Sequence, residues 1–306
     1  MKFLKYILAV GALLLLGSLA LADDPPQFSD WGPAENLGEP INSPYLDSCV
    51  SISKNGLSLY FSSNRHTANP ASMDRDLYVS KRASVNDPWG EPEPLTMLNT
   101  TVWDSCPALS LDEHWLYFTS ARPGGCGQRD LWVSHRRDRR DDLGWEAPVN
   151  LGCEINSFVN STGDDLFPTF FEDETGRVLM YFGSTRTGTS GPMDLYQSEM
   201  NGDGTFGPAT PLVELNSPAM EHSVTVRRDG LEVIFGSTRG AGVLRFWTAT
   251  RASTSDPWSQ PVLVESLPVG GSGRYALSFD GRELYFAATN PGAGIDIWVA
   301  RRERLR

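Results

Sequence analysis

Four acidic residues occupy equivalent places in a repeated sequence, and side chains of this type could do chemistry together. The four are Asp47, Asp104, Asp165 and Glu221. Carboxylates gathered at one cavity can cleave glycosidic bonds, because one protonates the leaving oxygen while another acts as base or nucleophile. Clustered carboxylates also suit Ca²⁺, although no DxDxDG spacing accompanies them here. All four are candidate binding residues, and Asp104, Asp165 and Glu221 are the alternative catalytic set.

A structural role explains the same four acids without any chemistry. Propeller enzymes that cleave glycosidic bonds take different acids from different repeats, whereas these acids sit at equivalent positions and look inherited with the repeat. We expect each carboxylate to accept backbone N–H bonds from a neighbouring connection, at the recurring Asn-Ser or Asn-Thr turns. The asparagines of these segments are Asn42, Asn99, Asn156 and Asn216. We favour this interpretation over a Ca²⁺ site and over hydrolysis.

Arginines form a second recurring set, in a Ser-x-Arg motif that one loop separates from an aspartate. The repeat predicts three ion pairs across this loop, Arg65 with Asp76, Arg122 with Asp130, and Arg186 with Asp194. The fourth repeat breaks the pattern, because Arg245 stands where the aspartate should be, opposite Arg239. Two arginines without a carboxylate could hold an anionic group, so both are candidate binding residues. Drift into a solvated pair is the interpretation that we favour.

The elements that must position these residues recur with a period near 50. The end of the Ser-x-Arg motif falls at Arg65, Arg122, Arg186, Arg239 and Asn290, at spacings of 57, 64, 53 and 51 residues. Each unit contains a short first strand, a turn such as Asn55-Gly56 or Asp280-Gly281, and a second strand that usually carries Tyr-Phe. A third strand and a segment led by Trp or Phe follow. Several strands per unit at this period are typical of a β-propeller.

We therefore predict an all-β fold, a five-bladed β-propeller of four-stranded antiparallel blades. The blades are expected at approximately 46–97, 104–151, 164–213, 220–264 and 272–302. The last unit ends without a fourth strand, so residues 28–37, which resemble the fourth strand of the second unit, should complete it and close the ring. First strands line the channel of a propeller, so the four acids should ring one mouth. His222, next to Glu221, should face the channel there.

The first 22 residues have the pattern of a cleavable export signal. Lys2 and Lys5 precede an apolar run at 7–16, and small residues follow at 20–22. The run is too short to span a membrane, so the mature chain, 23–306, is expected to be one periplasmic or secreted domain without a transmembrane segment. The full chain carries a formal charge of −12, and loss of the two lysines makes it −14. This charge argues against nucleic acid as a partner.

Four cysteines remain in the mature chain, Cys49, Cys106, Cys126 and Cys153. None belongs to a CxxC motif, and an exported chain can form disulfides, so three pairings are open.

The repeats resemble the WD40-like repeats of the TolB-type periplasmic propellers. The shared pattern is Ser-x-Arg, a loop and Asp-Leu-Tyr/Trp, and it stands here as SSNR...RDLY, TSAR...RDLW and GSTR...MDLY. The resemblance covers essentially the whole mature chain, although six blades are usual in that family. It implies a non-enzymatic scaffold in the cell envelope, which would bind a protein or glycan partner through the funnel face that carries the acids, without a cofactor. A glycoside hydrolase that uses the channel carboxylates is the alternative.

Overall fold

The computed structural model describes residues 26–67, 69, 72–153, 159–290 and 294–305. Within these ranges the chain forms five sheets of four antiparallel strands, which confirms the predicted five-bladed propeller. The strands, blade by blade, are β2 (Asp47–Ile52), β3 (Ser58–Ser63), β4 (Asp76–Lys81) and β5 (Glu93–Pro94); β6 (Asp104–Leu109), β7 (Trp115–Ser120), β8 (Asp130–His135) and β9 (Val149–Asn150); β10 (Asp165–Glu172), β11 (Val178–Ser184), β12 (Asp194–Glu199) and β13 (Thr210–Pro211); β14 (Glu221–Val226), β15 (Glu232–Ser237), β16 (Arg245–Thr250) and β17 (Val262–Leu263); and β18 (Gly271–Leu277), β19 (Glu283–Asn290), β20 (Gly294–Arg301) and β1 (Glu35–Asn36).

The N-terminal segment closes the ring, as its sequence predicts. Strand β1 pairs antiparallel with β20, with Glu35 opposite Val299 and Asn36 opposite Trp298. Phe28 forms a further bridge to Arg304. On the inner side, β18 of the last blade packs against β2 of the first. Both ends of the described chain are thus fastened in one blade, which leaves no open sheet edge at the junction.

Hydrophobic clusters fill the spaces between neighbouring blades. The second strands explain them, with Tyr-Phe in four blades and Ile234-Phe235 in the fourth, because successive side chains of a strand point to opposite faces of the sheet. In the first blade, Phe61 packs towards the fifth blade and Tyr60 towards the second. Trp132 and Trp145 complete the cluster between the first two blades. These aromatic residues therefore hold the blades in place.

Every inner strand has a kink at the same position, two residues after its start. The residues at the kink have φ angles of 55°, 59°, 61°, 44° and 69° at Cys49, Cys106, Phe167, Ser223 and Gly273. An irregularity in the pairing to the second strand accompanies each of them, and such bulges redirect the side chains nearby. Gly273 is required here, because an added Cβ would lie 2.7 Å from the Cys49 sulfur.

The four cysteines form two disulfides on one side of the ring. Cys49 bonds to Cys106 and links the inner strands of the first two blades, while Cys126 bonds to Cys153 and links two loops of the second blade. Together with Phe167 and neighbouring apolar residues, the first disulfide forms a cluster of its own in the channel.

The described residues contain no helix that is both long and apolar enough to cross a bilayer. The predicted export signal, residues 1–22, lies outside the described residues.

Candidate functional site

The four acids that begin the inner strands are completely buried and fully engaged. Asp104 has no exposed surface. It accepts bonds from the backbone N–H and hydroxyl of Thr100, both 2.7 Å, from the Ser120 hydroxyl at 2.5 Å and from Arg122 at 2.7 Å. Asp165 and Glu221 accept bonds from the equivalent donors of their own repeats. Asp47 accepts all of these bonds except the one from the serine at the end of the second strand. These acids therefore bond to the turns that precede the inner strands, which is the structural role favoured from the sequence, and none of the four has exposed surface.

The turns that hold these acids are Asn-Ser or Asn-Thr pairs, with one change from the predicted residues. The Asn99 side chain caps β4 by bonding to both the N–H and the C=O of Leu77, at 2.8 and 3.0 Å. In the third repeat, Asn160 makes the same pair of bonds to Leu131. Two Asn-Ser pairs stand four residues apart in this connection, and the structure uses the second. Asn156, the predicted residue, lies outside the described residues.

The arginines of the Ser-x-Arg motif pair with the inner acids, and not with the aspartates of the third strands. The observed pairs are Arg65 with Asp47 at 2.8 Å, Arg122 with Asp104 at 2.7 Å, and Arg186 with Asp165 at 2.8 Å, where Asp76, Asp130 and Asp194 were predicted. Both acids lie opposite the end of the second strand, so the repeat alone did not decide between them. Arg239 is also paired, with Glu221 at 2.9 Å, so it is not free to hold an anion with Arg245.

The third-strand aspartates instead fix the loops that precede them. Asp130 accepts the backbone N–H of Cys126 at 2.9 Å, and Asp194 accepts that of Ser190 at 2.6 Å. In the last blade, Asp296 accepts the side-chain amide of Asn290 at 2.6 Å. These contacts give the aspartates a structural role in three of the five blades.

Asp76 of the first blade departs from this pattern. It lies beside His66, with 3.4 Å between a carboxylate oxygen and the ring Nδ1. Its other oxygen is buried and has no donor in the part of the chain that the structure describes. Burial raises the pKa of Asp76 to about 6 against the opposing charge of His66, and the charges of Asp104 and Asp74 add to the rise. A partly buried carboxyl with such a pKa can donate a proton in mildly acidic solution.

A cavity of about 600 Å³ opens at the channel mouth on the same face. We call this cavity the funnel, and five of its lining residues define it: Arg75, Trp103, Arg129, Phe167 and His222. The two arginines directly precede β4 and β8, and the tryptophan directly precedes β6. Phe167 and His222 belong to the inner strands β10 and β14. The funnel thus combines two cations, two aromatic rings, a histidine and the carboxylate of Asp74, which also lines it.

Both arginines of the funnel lie close to the Trp103 ring. The guanidinium of Arg75 is 5.8 Å from the ring centroid and that of Arg129 is 5.1 Å from it. Arg129 forms an ion pair with Asp164. Arg75 is only 8% exposed, and no carboxylate in the described ranges pairs with it. Burial, and then the charge of Arg129, lowers the pKa of Arg75 to about 10, so it remains a cation at neutral pH.

His222 contributes a neutral imidazole to the funnel. Its ring centroid lies 4.3 Å from that of Phe167. Burial, and then the charge of Arg129, lowers the pKa of His222 to about 4. Its Nδ1 atom is buried and lacks a partner among the residues that the structure describes. His222 is the one binding residue predicted from the sequence that lines this cavity.

Three buried polar atoms without a partner among the described residues belong to side chains that line the funnel. They are Asp74 Oδ1, Arg75 Nε and His222 Nδ1. Most buried polar groups of folded proteins are hydrogen-bonded, because an unsatisfied donor or acceptor costs roughly 1–3 kcal/mol. Such a concentration therefore marks a place where a ligand would supply the missing bonds.

The described residues contain no group of three His, Cys, Asp or Glu side chains suited to a metal ion. The Ca²⁺ site considered from the sequence would need free oxygens on the inner acids, and those oxygens already accept bonds from the protein.

Sequence reasoning missed most of the funnel, because it followed the positions that repeat. The residues directly before the inner strands differ from blade to blade, as Leu46, Trp103, Asp164, Met220 and Gly270. Those directly before the third strands also differ, as Arg75, Arg129, Met193 and Leu244 in the first four blades. Alignment of the repeats and attention to their differences would have found these positions.

No family model and no curated protein matches the chain. Solved structures do match it. One is the catalytic domain of the GH62 α-L-arabinofuranosidase of Coprinopsis cinerea, with a TM-score of 0.59 and 14% identity over 89% of this chain and 96% of that one. Another is a GH43 β-xylosidase/α-arabinofuranosidase from a compost microbial metagenome, solved in complex with xylotriose, with a TM-score of 0.53 and 14% identity over 92% and 96%. TolB of Acinetobacter baumannii matches with a TM-score of 0.49 and 12% identity, over 84% of this chain and 54% of its own.

These matches establish the fold and correct the function expected from the sequence. The non-enzymatic scaffold was inferred from the TolB resemblance, and the likeness to TolB is too weak to carry an argument about function. Both hydrolases superpose better and along nearly their whole chains. The scaffold interpretation is therefore wrong as the main one, and the alternative, a propeller of the glycoside hydrolase type, agrees better with the matches.

Proposed function

We propose that the protein is a glycoside hydrolase and that the funnel is its substrate site. The observation that carries this proposal is the set of buried polar atoms without a partner around the cavity. Sugar hydroxyls both donate and accept hydrogen bonds, so one sugar could satisfy carboxylate oxygens, a guanidinium and an imidazole together. The rings of Trp103 and Phe167 offer apolar surface to the faces of the sugar rings.

Asp76 and Asp74 are the proposed catalytic pair. His66 lies between them, with its Nδ1 3.4 Å from Asp76 and its Nε2 3.4 Å from Asp74. In the proposed reaction, the protonated Asp76 transfers its proton to the leaving glycosidic oxygen as the C–O bond to the anomeric carbon breaks. Asp74 takes a proton from a water molecule whose oxygen forms the new bond to that carbon. Two carboxyl groups that a side chain holds apart suit this division of roles.

The acids considered from the sequence do not fit this chemistry. Asp104, Asp165 and Glu221 are fully buried and each already accepts a guanidinium and three further hydrogen bonds. A carboxylate that is fully buried and engaged by these donors cannot approach a substrate. We therefore assign them to the framework of the site.

The test uses the purified chain and a panel of α-L-arabinofuranosides, β-xylosides and xylo-oligosaccharides. The wild type should release sugar, and Asp76→Asn should lower kcat by at least 100-fold, since loss of a general acid typically costs 10²–10⁴-fold. Asp87→Asn is the matched control, because Asp87 is exposed and lies away from the funnel. Wild-type activity that Asp76→Asn leaves intact would refute the assignment of the acid, and no release from any substrate would refute the proposed function on these sugars.

We also propose that the protein acts in the periplasm or outside the cell, after removal of residues 1–22. The disulfides Cys49–Cys106 and Cys126–Cys153 support this, because disulfides persist in oxidising compartments. Cell fractionation with N-terminal sequencing of the mature chain tests it. Recovery of the uncleaved chain from the cytosol would contradict it.

A further inference from the structure

We propose that the sugar bound in the funnel carries a carboxylate, as a uronic acid does, and that Arg75 binds this group. The inference rests on the proposed function and adds the class of substrate. It follows from one feature of the cavity, a buried cation without a counter-charge of its own.

Arg75 is the uncompensated charge of the site. The side chain is 8% exposed, its Nε is buried, and neither a carboxylate nor a hydroxyl pairs with its guanidinium within the described ranges. The arginines of the Ser-x-Arg motif are more exposed, yet each has a carboxylate partner, as Arg122 has Asp104. Removing a charge from water without an opposite charge is costly, so a bound anion would relieve a penalty that the free protein carries.

Among the charged groups near the funnel, Arg75 is the one available to bind a carboxylate. Asp164 is already paired with Arg129, so neither of them neutralises a third group. Asp76 is held largely neutral at mildly acidic pH, since its pKa is about 6. A carboxylate oxygen of Asp74 lies 3.4 Å from the Nε2 atom of His66. Arg75 therefore presents a positive charge to the cavity, although the whole chain has a formal charge of −12.

The chemistry of the guanidinium selects the ligand. A planar guanidinium binds a planar carboxylate through two parallel hydrogen bonds, and this geometry favours arginine over lysine. The Trp103 ring, 5.8 Å from Arg75, is placed to pack against the sugar ring that carries such a carboxylate. His222 offers a neutral Nδ1 as a further polar contact for the ring hydroxyls. The volume of about 600 Å³ falls in the usual range of small-ligand pockets.

Calorimetric titration of the purified protein tests the inference. The probes are aldotriouronic acid built on a xylose backbone, its methyl ester, and xylotriose. We expect the acid to bind at least 10-fold more tightly than the ester. Arg75→Gln should weaken binding of the acid at least 30-fold while changing the affinity for xylotriose by less than 3-fold. Arg75→Lys, which keeps the charge and loses the paired bonds, should give an intermediate affinity.

Arg228→Gln is the control variant, because Arg228 is exposed and lies over the Phe279 ring, away from the funnel. It should bind the acid as the wild type does, and melting temperatures should show that all variants are folded. The inference would be overturned if the wild type bound the acid and the ester with equal affinity, or if Arg75→Gln weakened the binding of both by the same factor. Tighter binding of a sulfated xylo-oligosaccharide than of the uronic acid would overturn the choice of carboxylate.

The outcome separates this inference from the proposed function. Hydrolysis of neutral glycosides that depends on Asp76, without preference for the acid, would overturn only the carboxylate. Selective binding of the acid, without hydrolysis of any glycoside, would confirm the carboxylate and overturn the assignment of an enzymatic activity.

Discussion

Replacing Asp104 by alanine should destabilise the protein strongly, and this would separate a framework acid from a catalytic one. Asp104 begins the inner strand of the second blade and has no exposed surface. It joins the turn at Thr100, the end of the second strand at Ser120, and Arg122. The change therefore breaks three connections of one blade at a single point.

The size of the effect follows from what the substitution leaves behind. Arg122 keeps its charge in a site where its side chain is only 10% exposed and loses the carboxylate 2.7 Å away. Breaking a buried ion pair by removal of one partner costs about 3–5 kcal/mol, because the remaining charge is uncompensated. For a chain of this size each kcal/mol lowers Tm by a few degrees, so we expect a fall of roughly 6–20 °C.

The assay is thermal and urea unfolding of a double-mutant cycle. Asp104→Ala and Arg122→Ala should each destabilise the protein, and the double variant should cost less than the sum of the two, since it leaves no unpaired charge. Asp87→Ala, which changes an exposed aspartate, should leave Tm within about 1 °C of the wild type, as surface substitutions usually do. An unchanged Tm in Asp104→Ala, together with loss of an activity, would refute the framework role and restore Asp104 as a catalytic candidate.

Four further predictions concern titration and metal. The pKa of Asp76 is raised to about 6 in the folded protein, so the stability that its protonated form contributes at low pH is lost as the pH rises through 6. Asp76→Asn should therefore raise Tm at pH 7.5 and change it little at pH 4. Thermal unfolding at the two pH values tests this. If Asp76 is the general acid, kcat/KM should also fall above about pH 6 in a pH–rate profile. The pKa of His222 is lowered to about 4 in the folded protein, so the protein loses stability as the pH falls from the pKa of histidine in the unfolded chain towards 4. His222→Gln should therefore reduce the decline of Tm between pH 6.5 and 4. Calcium at millimolar concentration should leave Tm unchanged, because the oxygens of Asp104, Asp165 and Glu221 already accept protein donors; a rise of several degrees would contradict this.

The sequence predicted the fold well because the relevant signals are local. The Tyr-Phe pair at Tyr60-Phe61 marks a strand that is buried on both faces, which is what a blade between two others requires. The similarity of residues 28–37 to an outer strand predicted the pairing of β1 with β20 in the same way. Each of these signals depends on a few adjacent residues and on the alternation of a strand.

The ion pairs were harder to predict because they depend on distances between strands. The end of β3 lies opposite both β2 and β4, so Ser63 faces Asp47 on one side and Asp76 on the other. Arg65, two residues further on, can turn to either acid, and it turns to the completely buried Asp47. The arginine pairs with the more deeply buried of the two carboxylates. The repeat in the sequence does not show which of them is more buried.

The same choice explains why the first blade carries the proposed acid. Once Arg65 pairs with Asp47, Asp76 lacks the arginine that the repeat had seemed to assign to it, and among the described residues only His66 forms an ion pair with it. Asp130 is not left unpaired, because the loop before it donates backbone N–H groups from Cys126 and Gly127. Asp76 and Asp130 stand at the same position of the repeat, so a repeated acid keeps an unpaired oxygen where the described residues of its loop supply no donor. Polar groups left in this way lower stability, and those beside the funnel support our proposal that this mouth of the channel binds the substrate.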